Sequence, residues 1–164
     1  MTRVYLLRHG IAVPHGSPDY PDDERPLTKE GEEKMKEVAE GLALMDLKLD
    51  RIVTSPLPRA AKTAEIVADV LKMEDILETS DALRADRDAA SIRDWLQTRP
   101  EPRIMLVGHN PSLTELVGLL ITGEVGPPLC ELHKGGIAAL ATGPHGGLVL
   151  DWLARPRLIR RLAD

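Results

Sequence analysis

The sequence predicts an α/β fold: a three-layer α/β/α sandwich with a mostly parallel sheet and an antiparallel edge. Three observations carry that prediction. Apolar runs suited to buried strands, Val4-Tyr5-Leu6-Leu7 and Ile104-Met105-Leu106-Val107, stand far apart in the chain. Between and after them, apolar residues recur every three or four positions, as on one face of a helix. Near the end, two runs over 135–142 and 147–153 flank Gly143-Pro144-His145-Gly146-Gly147 and read as a hairpin. Strands alternating with helices build a parallel sheet, and a hairpin can extend it with antiparallel strands at one edge.

Taken in order, residues 3–8 read as a buried strand. Residues 11–28 form a long loop punctuated by Pro14, Gly16, Pro18, Pro21 and Pro26, with the acidic run Asp22-Asp23-Glu24. Long ordered loops in compact domains are often functional, and this one follows a strand end directly. Thr28 suits a helix N-cap. Met35, Val38, Ala39, Leu42 and Met45 then give the apolar face of the first helix. Residues 51–54 read as a short strand. Pro58 opens the next helix, with Ala61, Ala64, Ile66, Val67, Val70 and Leu71. Residues 75–79 read as a short strand and 80–90 as a charged irregular stretch. Asp88 suits the cap of a helix over 89–98, and 103–108 is the second clear buried strand. A further helix opens at Pro111-Ser112 and stops near Gly123. The basic tail from Arg155 to Arg161 reads as solvated.

Composition narrows the function. At 164 residues the chain fits one domain, 1–164. With two Trp, two Tyr and no Phe, its core must be aliphatic and it lacks platforms for stacking bases. A formal net charge of −5 argues against a nucleic-acid partner held through phosphates. The single Cys130 forms no disulfide within the chain and fits a reducing cytoplasm. No stretch reaches the ~18 apolar residues of a membrane span, and charges interrupt the N-terminal apolar run, so neither a membrane segment nor a signal peptide is expected. His15, His133 and His145 lack a second ligand at metal spacing, so no metal and no cofactor are expected.

The chemistry gathers at strand ends, where open parallel sheets place their ligands. Arg8-His9-Gly10 follows the first strand. A neutral imidazole is a nucleophile at pH 7, an arginine fork matches phosphate oxygens, and glycine permits a sharp turn. Thr54-Ser55-Pro56-Leu57-Pro58-Arg59-Ala60 puts Arg59 in the first turn of a helix. A cation there opposes the helix dipole unless an anion binds beside it. Gly108-His109-Asn110-Pro111-Ser112 brings a second histidine to a strand end, able to donate to an anion or shuttle a proton. Each segment alone also admits a bland reading: a hydrogen-bonded strand-end histidine, or a solvated surface arginine. Together Arg8, His9, Arg59 and His109 suit a tetrahedral dianion with a nucleophile aimed at its centre. Asn110 is expected to satisfy backbone groups, and Thr63 to lie on the helix surface.

These motifs resemble those of the histidine phosphatase superfamily, the phosphoglycerate-mutase-like fold. The resemblance rests on Arg8-His9-Gly10, on Ser55-Pro56-Leu57-Pro58-Arg59-Ala60 with Thr63, and on Gly108-His109. Short length, Arg25-Pro26-Leu27-Thr28 with Gly31, and Gly-His-Asn-Pro at 108–111 look most like the small phosphohistidine phosphatases. The resemblance implies that His9 becomes phosphorylated while Arg8, Arg59 and His109 hold the phosphoryl group. Arg25 is a further candidate for a substrate contact. Many family members also carry a glutamate acid after the third strand. No clean counterpart stands in 79–88, where Asp81, Asp86 and Asp88 are the candidate proton donors and Glu78 a fourth that suits the strand.

A weak or missing acid favours a phosphorus–nitrogen bond, because an imidazole leaves easily once protonated whereas an alkoxide needs a strong general acid. The expected partner is therefore a phosphohistidine-bearing protein. The alternatives are a broad phosphomonoesterase acting on small phosphorylated substrates, and a non-catalytic module that binds phosphate or a phosphoprotein.

Overall fold

The fold is built outward from β1 (Arg3–Arg8), whose residues Val4 to Leu7 are wholly or almost wholly buried. A computed structural model describes residues 1–164. β1 lies between β4 (Arg103–Gly108), parallel to it, and β5 (Ile137–Thr142), antiparallel to it. β2 (Arg51–Thr54) pairs parallel with β4 and with β3 (Leu77–Thr79). β6 (Leu148–Ala154) closes the far edge against β5. The order is β3-β2-β4-β1-β5-β6, parallel on one side of β1 and antiparallel on the other. This is the mixed sheet the sequence predicts.

Alternation along the strands divides the core in two. Tyr5, Leu7, Ile52, Met105, Val107, Ile137 and Ala139 face one side. There they meet α1 (Lys29–Leu44), α2 (Pro58–Leu71) and Ile159 of α5 (Pro156–Arg160). Val4, Leu6, Val53, Ile104, Leu106, Ala138 and Leu140 face the other, against α3 (Ala89–Gln97) and α4 (Ser112–Thr122). The expected caps form. Thr28 accepts from the Gly31 N–H, Asp88 accepts from the Ser91 N–H, and Gly123 ends α4 in the left-handed region. Each satisfies backbone groups that a helix end leaves open.

Three expectations shift. The segment 75–79 is strand only over 77–79, preceded by a 3-10 turn at Glu74–Ile76. The long loop carries a 3-10 turn at Asp22–Glu24 and bridges to itself at Ala12 and Leu27. The basic tail is not simply solvated: it forms α5 and docks on α1, with Ile159 buried and Arg160 bonded to Glu37.

Gly41 makes that docking possible. A Cβ there would lie 2.1 Å from the Ile159 carbonyl oxygen. Alanine normally stabilises a helix interior by about 1 kcal/mol relative to glycine. Gly41→Ala is expected to do the reverse, lowering stability by about 1–3 kcal/mol because backbone must move to admit the methyl. Urea midpoints and proteolysis within 156–160 check it; a stabilised variant with α5 still protected counts against the tight approach.

Candidate active site

Three adjacent strand ends build the site. β2, β4 and β1 are neighbours in the sheet, and beyond them lie Ser55, His109 and His9. The ladder continues past the strands: the His9 N–H donates to the Gly108 carbonyl and the Ser55 N–H to the Val107 carbonyl, each at 3.0 Å. By strand parity His9 and His109 follow the side of Leu7 and Val107, and their rings lie 5.3 Å apart between centroids. Arg59 enters from the same side, in the first turn of α2.

His9 is fixed in one orientation. Its Nδ1 lies 2.7 Å from the Gly10 carbonyl oxygen. A carbonyl only accepts, so Nδ1 carries the proton and Nε2 keeps its lone pair. The Gly10 N–H is held in turn by the Thr63 hydroxyl at 3.0 Å, and that hydroxyl donates to the Arg59 carbonyl at 2.7 Å. Thr63 is fully buried. It is no surface residue of α2 but a tie between the Arg59 turn and the His9 turn.

Both histidines are neutral. Burial pushes His9 down to about 3, the Gly10 carbonyl resisting the shift and His109, Arg59 and Arg8 adding to it. Burial also pushes His109 down to about 3, with Arg59, Arg25, Arg8 and Arg84 adding to the effect. The guanidiniums of Arg8 and Arg59 are likewise shifted down, first by burial.

Three buried donors or potential donors have no partner: Arg8 Nε, Arg59 Nε and His109 Nδ1. An unpaired buried polar group costs about 1–3 kcal/mol, and here three of them share one site. The remaining bonds are positional. Arg59 Nη1 donates to the Asp22 carbonyl at 3.2 Å, and Arg8 Nη1 to the Leu132 carbonyl at 2.9 Å. The first turn of α2 contains no acidic residue and no side-chain cap, so nothing within that turn offsets its dipole, and only Asp22 and Asp23 of the long loop act against the Arg59 charge. The arrangement suits a bound tetrahedral oxyanion, which would supply acceptors and negative charge together.

The structure brings Arg8, His9, Arg59 and His109 together and treats the other candidates differently. Arg25 is buried at the hub of the long loop. Nε donates to the Asp22 carboxylate at 2.7 Å and Nη1 to the Val13 carbonyl at 2.8 Å, while Nη2 lies 3.1 Å from His15 Nε2. Its charge reaches Arg59 and His109, while its hydrogen bonds run to the loop. Asp81 is exposed, 3.9 Å from Arg84. Asp86 is exposed, and the Asp88 carboxylate is taken up as the cap of α3. Glu78 lies in β3 and pairs with Arg99 at 2.9 Å. The Asp88 carboxyl is held below its usual range by the Ser91 N–H and hydroxyl. The Asp22 carboxyl is also low: desolvation is the largest single influence and opposes the shift, and Arg25 and His15 together outweigh it. Downward shifts are the opposite of what a general acid needs at neutral pH.

Sequence reasoning missed three supporting groups. Ser55, fully buried, lies 2.8 Å from His109 Nε2. The Leu132 carbonyl accepts from both Arg8 and Asn110. Thr114 locks that carbonyl's segment by donating to Asn110 Oδ1 and accepting from the Leu132 N–H. Asn110 thus satisfies backbone, as expected. Ser55 stands one residue past a strand, which was the available signal; the Leu132 segment is irregular and carried none. A separate cleft of about 410 Å³ opens at the other end of β1, between Met1, Leu96, Leu119 and Leu148. It holds none of these groups.

Comparison with known proteins shows the family. Residues 4–84 match the model of the histidine phosphatase superfamily (branch 1). An uncharacterized protein of Picosynechococcus sp. is 36% identical over 144 residues, covering 85% of each chain. The phosphohistidine phosphatase SixA of Escherichia coli is 27% identical over 157 residues, covering 94% of each. A solved structure of the protein histidine phosphatase SixA complexed with tungstate superposes with a TM-score of 0.81 at 26% identity, over 96% of this chain and 99% of that one. The chain therefore belongs to the histidine phosphatase superfamily, branch 1, and within it resembles the small phosphohistidine phosphatases in both sequence and fold.

Proposed function

We propose that this phosphatase removes the phosphoryl group from phosphohistidine on a protein, through a phosphorylated His9. The observation that carries the reading is the His9 ring: Nδ1 is tied to the Gly10 carbonyl, and Nε2 is left free beside buried donors that lack acceptors. Nε2 attacks phosphorus in line. The bond from phosphorus to the substrate imidazole breaks as the bond to Nε2 forms, and the departing ring takes a proton from solvent or another weak donor. Arg8, Arg59 and His109 stabilise charge on the equatorial oxygens, where catalysis of phosphoryl transfer chiefly acts. Water then cleaves phospho-His9 and releases inorganic phosphate. No step calls for a metal or a cofactor.

The acids support this substrate class. Asp22 and Asp88 are shifted toward the ionised form, and Asp81 and Asp86 point to solvent on an exposed loop. Such a site serves an imidazole leaving group better than an alkoxide. The similarity to SixA, named as a phosphohistidine phosphatase, supports the same reading. We take residues 1–164 as one catalytic domain, with a phosphoprotein as partner and neither nucleic acid nor membrane. No helix is long and apolar enough to cross a membrane, and the lone Cys130 fits the cytoplasm.

Steady-state kinetics test the substrate class. The kcat/KM on a phosphohistidine carrier protein is expected to exceed that on every member of a sugar-phosphate panel by at least about 10²-fold, the scale of a general acid's contribution. Higher kcat/KM on a sugar phosphate would make the enzyme a phosphomonoesterase of small metabolites. Oxyanion binding without turnover on either class would leave a phosphate-binding module.

A further inference from the structure

We propose that Ser55 is a positioning residue: its hydroxyl sets the tautomer of His109, so that Nδ1–H is presented to the phosphoryl oxygens. The bonds around Ser55 leave one consistent assignment. Ser55 Oγ accepts from the Leu57 N–H at 3.2 Å and lies 2.8 Å from His109 Nε2. These are its two partners. A hydroxyl has one proton to donate. If His109 Nε2 carried the ring proton, Oγ would accept twice and its own proton would be buried with nowhere to go. If Oγ donates to Nε2, every group in the chain Leu57 N–H, Ser55 O–H, His109 Nε2 is satisfied.

The other end of the ring decides in the same direction. His109 Nδ1 is buried and without a partner, in a site whose other unpaired groups are guanidinium N–H donors. A lone pair there would repel the oxyanion that Arg8 and Arg59 attract, whereas an N–H joins them as a third donor. A neutral imidazole has a single N–H, and burial keeps His109 neutral. Which nitrogen holds that proton thus determines whether His109 binds or opposes the anion. The two site histidines are then in the same tautomer by different means. His9 Nδ1–H is fixed by a carbonyl that accepts, and His109 Nδ1–H by a hydroxyl that donates at the opposite nitrogen.

This inference rests on the phosphatase reading of the site but not on which phosphate is its substrate. The direct test is the carbon and nitrogen chemical shifts of the His109 ring in the wild-type enzyme. They are expected to report Nδ1–H; an Nε2–H ring in the wild type overturns the proposal whatever any variant does. Ser55→Ala is expected to shift His109 toward a mixture of tautomers and to lower kcat/KM about 10–100-fold. That is short of the ~10²–10³ expected for losing an oxyanion donor outright. Ser55→Thr, which keeps the hydroxyl, restores the ring shifts and most of the rate. In a His109→Ala background, Ser55→Ala is expected to add less than a further threefold. A full additional loss there would mean that Ser55 acts on the loop alone. No turnover on any phosphate, with His109 still Nδ1–H, would instead remove the phosphatase reading and leave the tautomer assignment standing.

Discussion

His9→Ala is expected to abolish the phosphoenzyme and to lower turnover by about 10⁴-fold or more. Removing a covalent nucleophile leaves only binding and electrostatic stabilisation, which retain a small share of the rate. Nothing nearby can substitute for Nε2. The Ser55 hydroxyl is engaged with the Leu57 N–H and His109, and the Thr63 hydroxyl with the Gly10 N–H and the Arg59 carbonyl. Rapid quenching with a labelled phosphodonor should trap acid-labile, alkali-stable label on the wild type and none on the variant. His109→Ala makes the informative contrast. It removes a stabilising donor, so it should lower the rate by only ~10²–10³ and still form labelled enzyme. Label that persists in His9→Ala, or turnover above about one per cent of wild type, would move the nucleophile elsewhere, since a lost nucleophile is expected to leave far less.

The site was legible in the sequence wherever it coincides with a strand end. Arg8-His9 and His109 each follow an apolar run long enough to be a buried strand, and Arg59 follows a strand, a turn and Pro58. Periodicity and punctuation therefore located all four residues that the fold brings together. What remained hidden depends on contacts between segments remote in the chain. Thr63 looks like helix surface until the Gly10 N–H is placed against it from 53 positions away. Ser55 looks like a turn residue until β4 is set beside β2 and His109 arrives at its hydroxyl. Leu132 matters through its carbonyl, and a side-chain pattern says nothing about a carbonyl. Arg25 shows the limit from the other direction. Its charge pointed to the anion, and it lies close enough to depress Arg59 and His109, yet its hydrogen bonds hold the loop. The tail misled for a physical reason. Four arginines over 155–161 suggest solvent, but one buried Ile159 over the gap at Gly41 is enough to dock the helix.

Acid should destabilise this protein well before its carboxylates protonate. His9 and His109 are each shifted from an ordinary 6.5 to about 3, so both stay neutral in the folded chain while the unfolded chain takes up protons below 6.5. The unfolded state then binds more protons, and stability rises with pH through the window. Read downward, the loss begins near pH 6.5 and grows until about 3, where the folded histidines protonate too. Between pH 7 and 5 the two together should remove about 2–4 kcal/mol, a large part of the 5–15 kcal/mol typical of a domain. Urea unfolding at pH 7, 6 and 5 measures it, and His9→Gln or His109→Gln should each flatten the slope by close to one proton. A dianion reverses the electrostatics, because it offers acceptors to the unpaired donors and favours protonated imidazole. Millimolar sulfate, doubly charged at both pH values, should restore most of the lost stability in the wild type and little in Arg59→Ala. Equal stability at pH 7 and 5 without sulfate would mean that the histidines titrate in the folded enzyme as they do in the unfolded chain, and that burial does not hold them neutral. A charged His9 has no lone pair on Nε2, so with that flat profile the proposed phosphoryl transfer would fall away as pH drops below 6.5, whereas a His9 held neutral keeps its nucleophile through the same window.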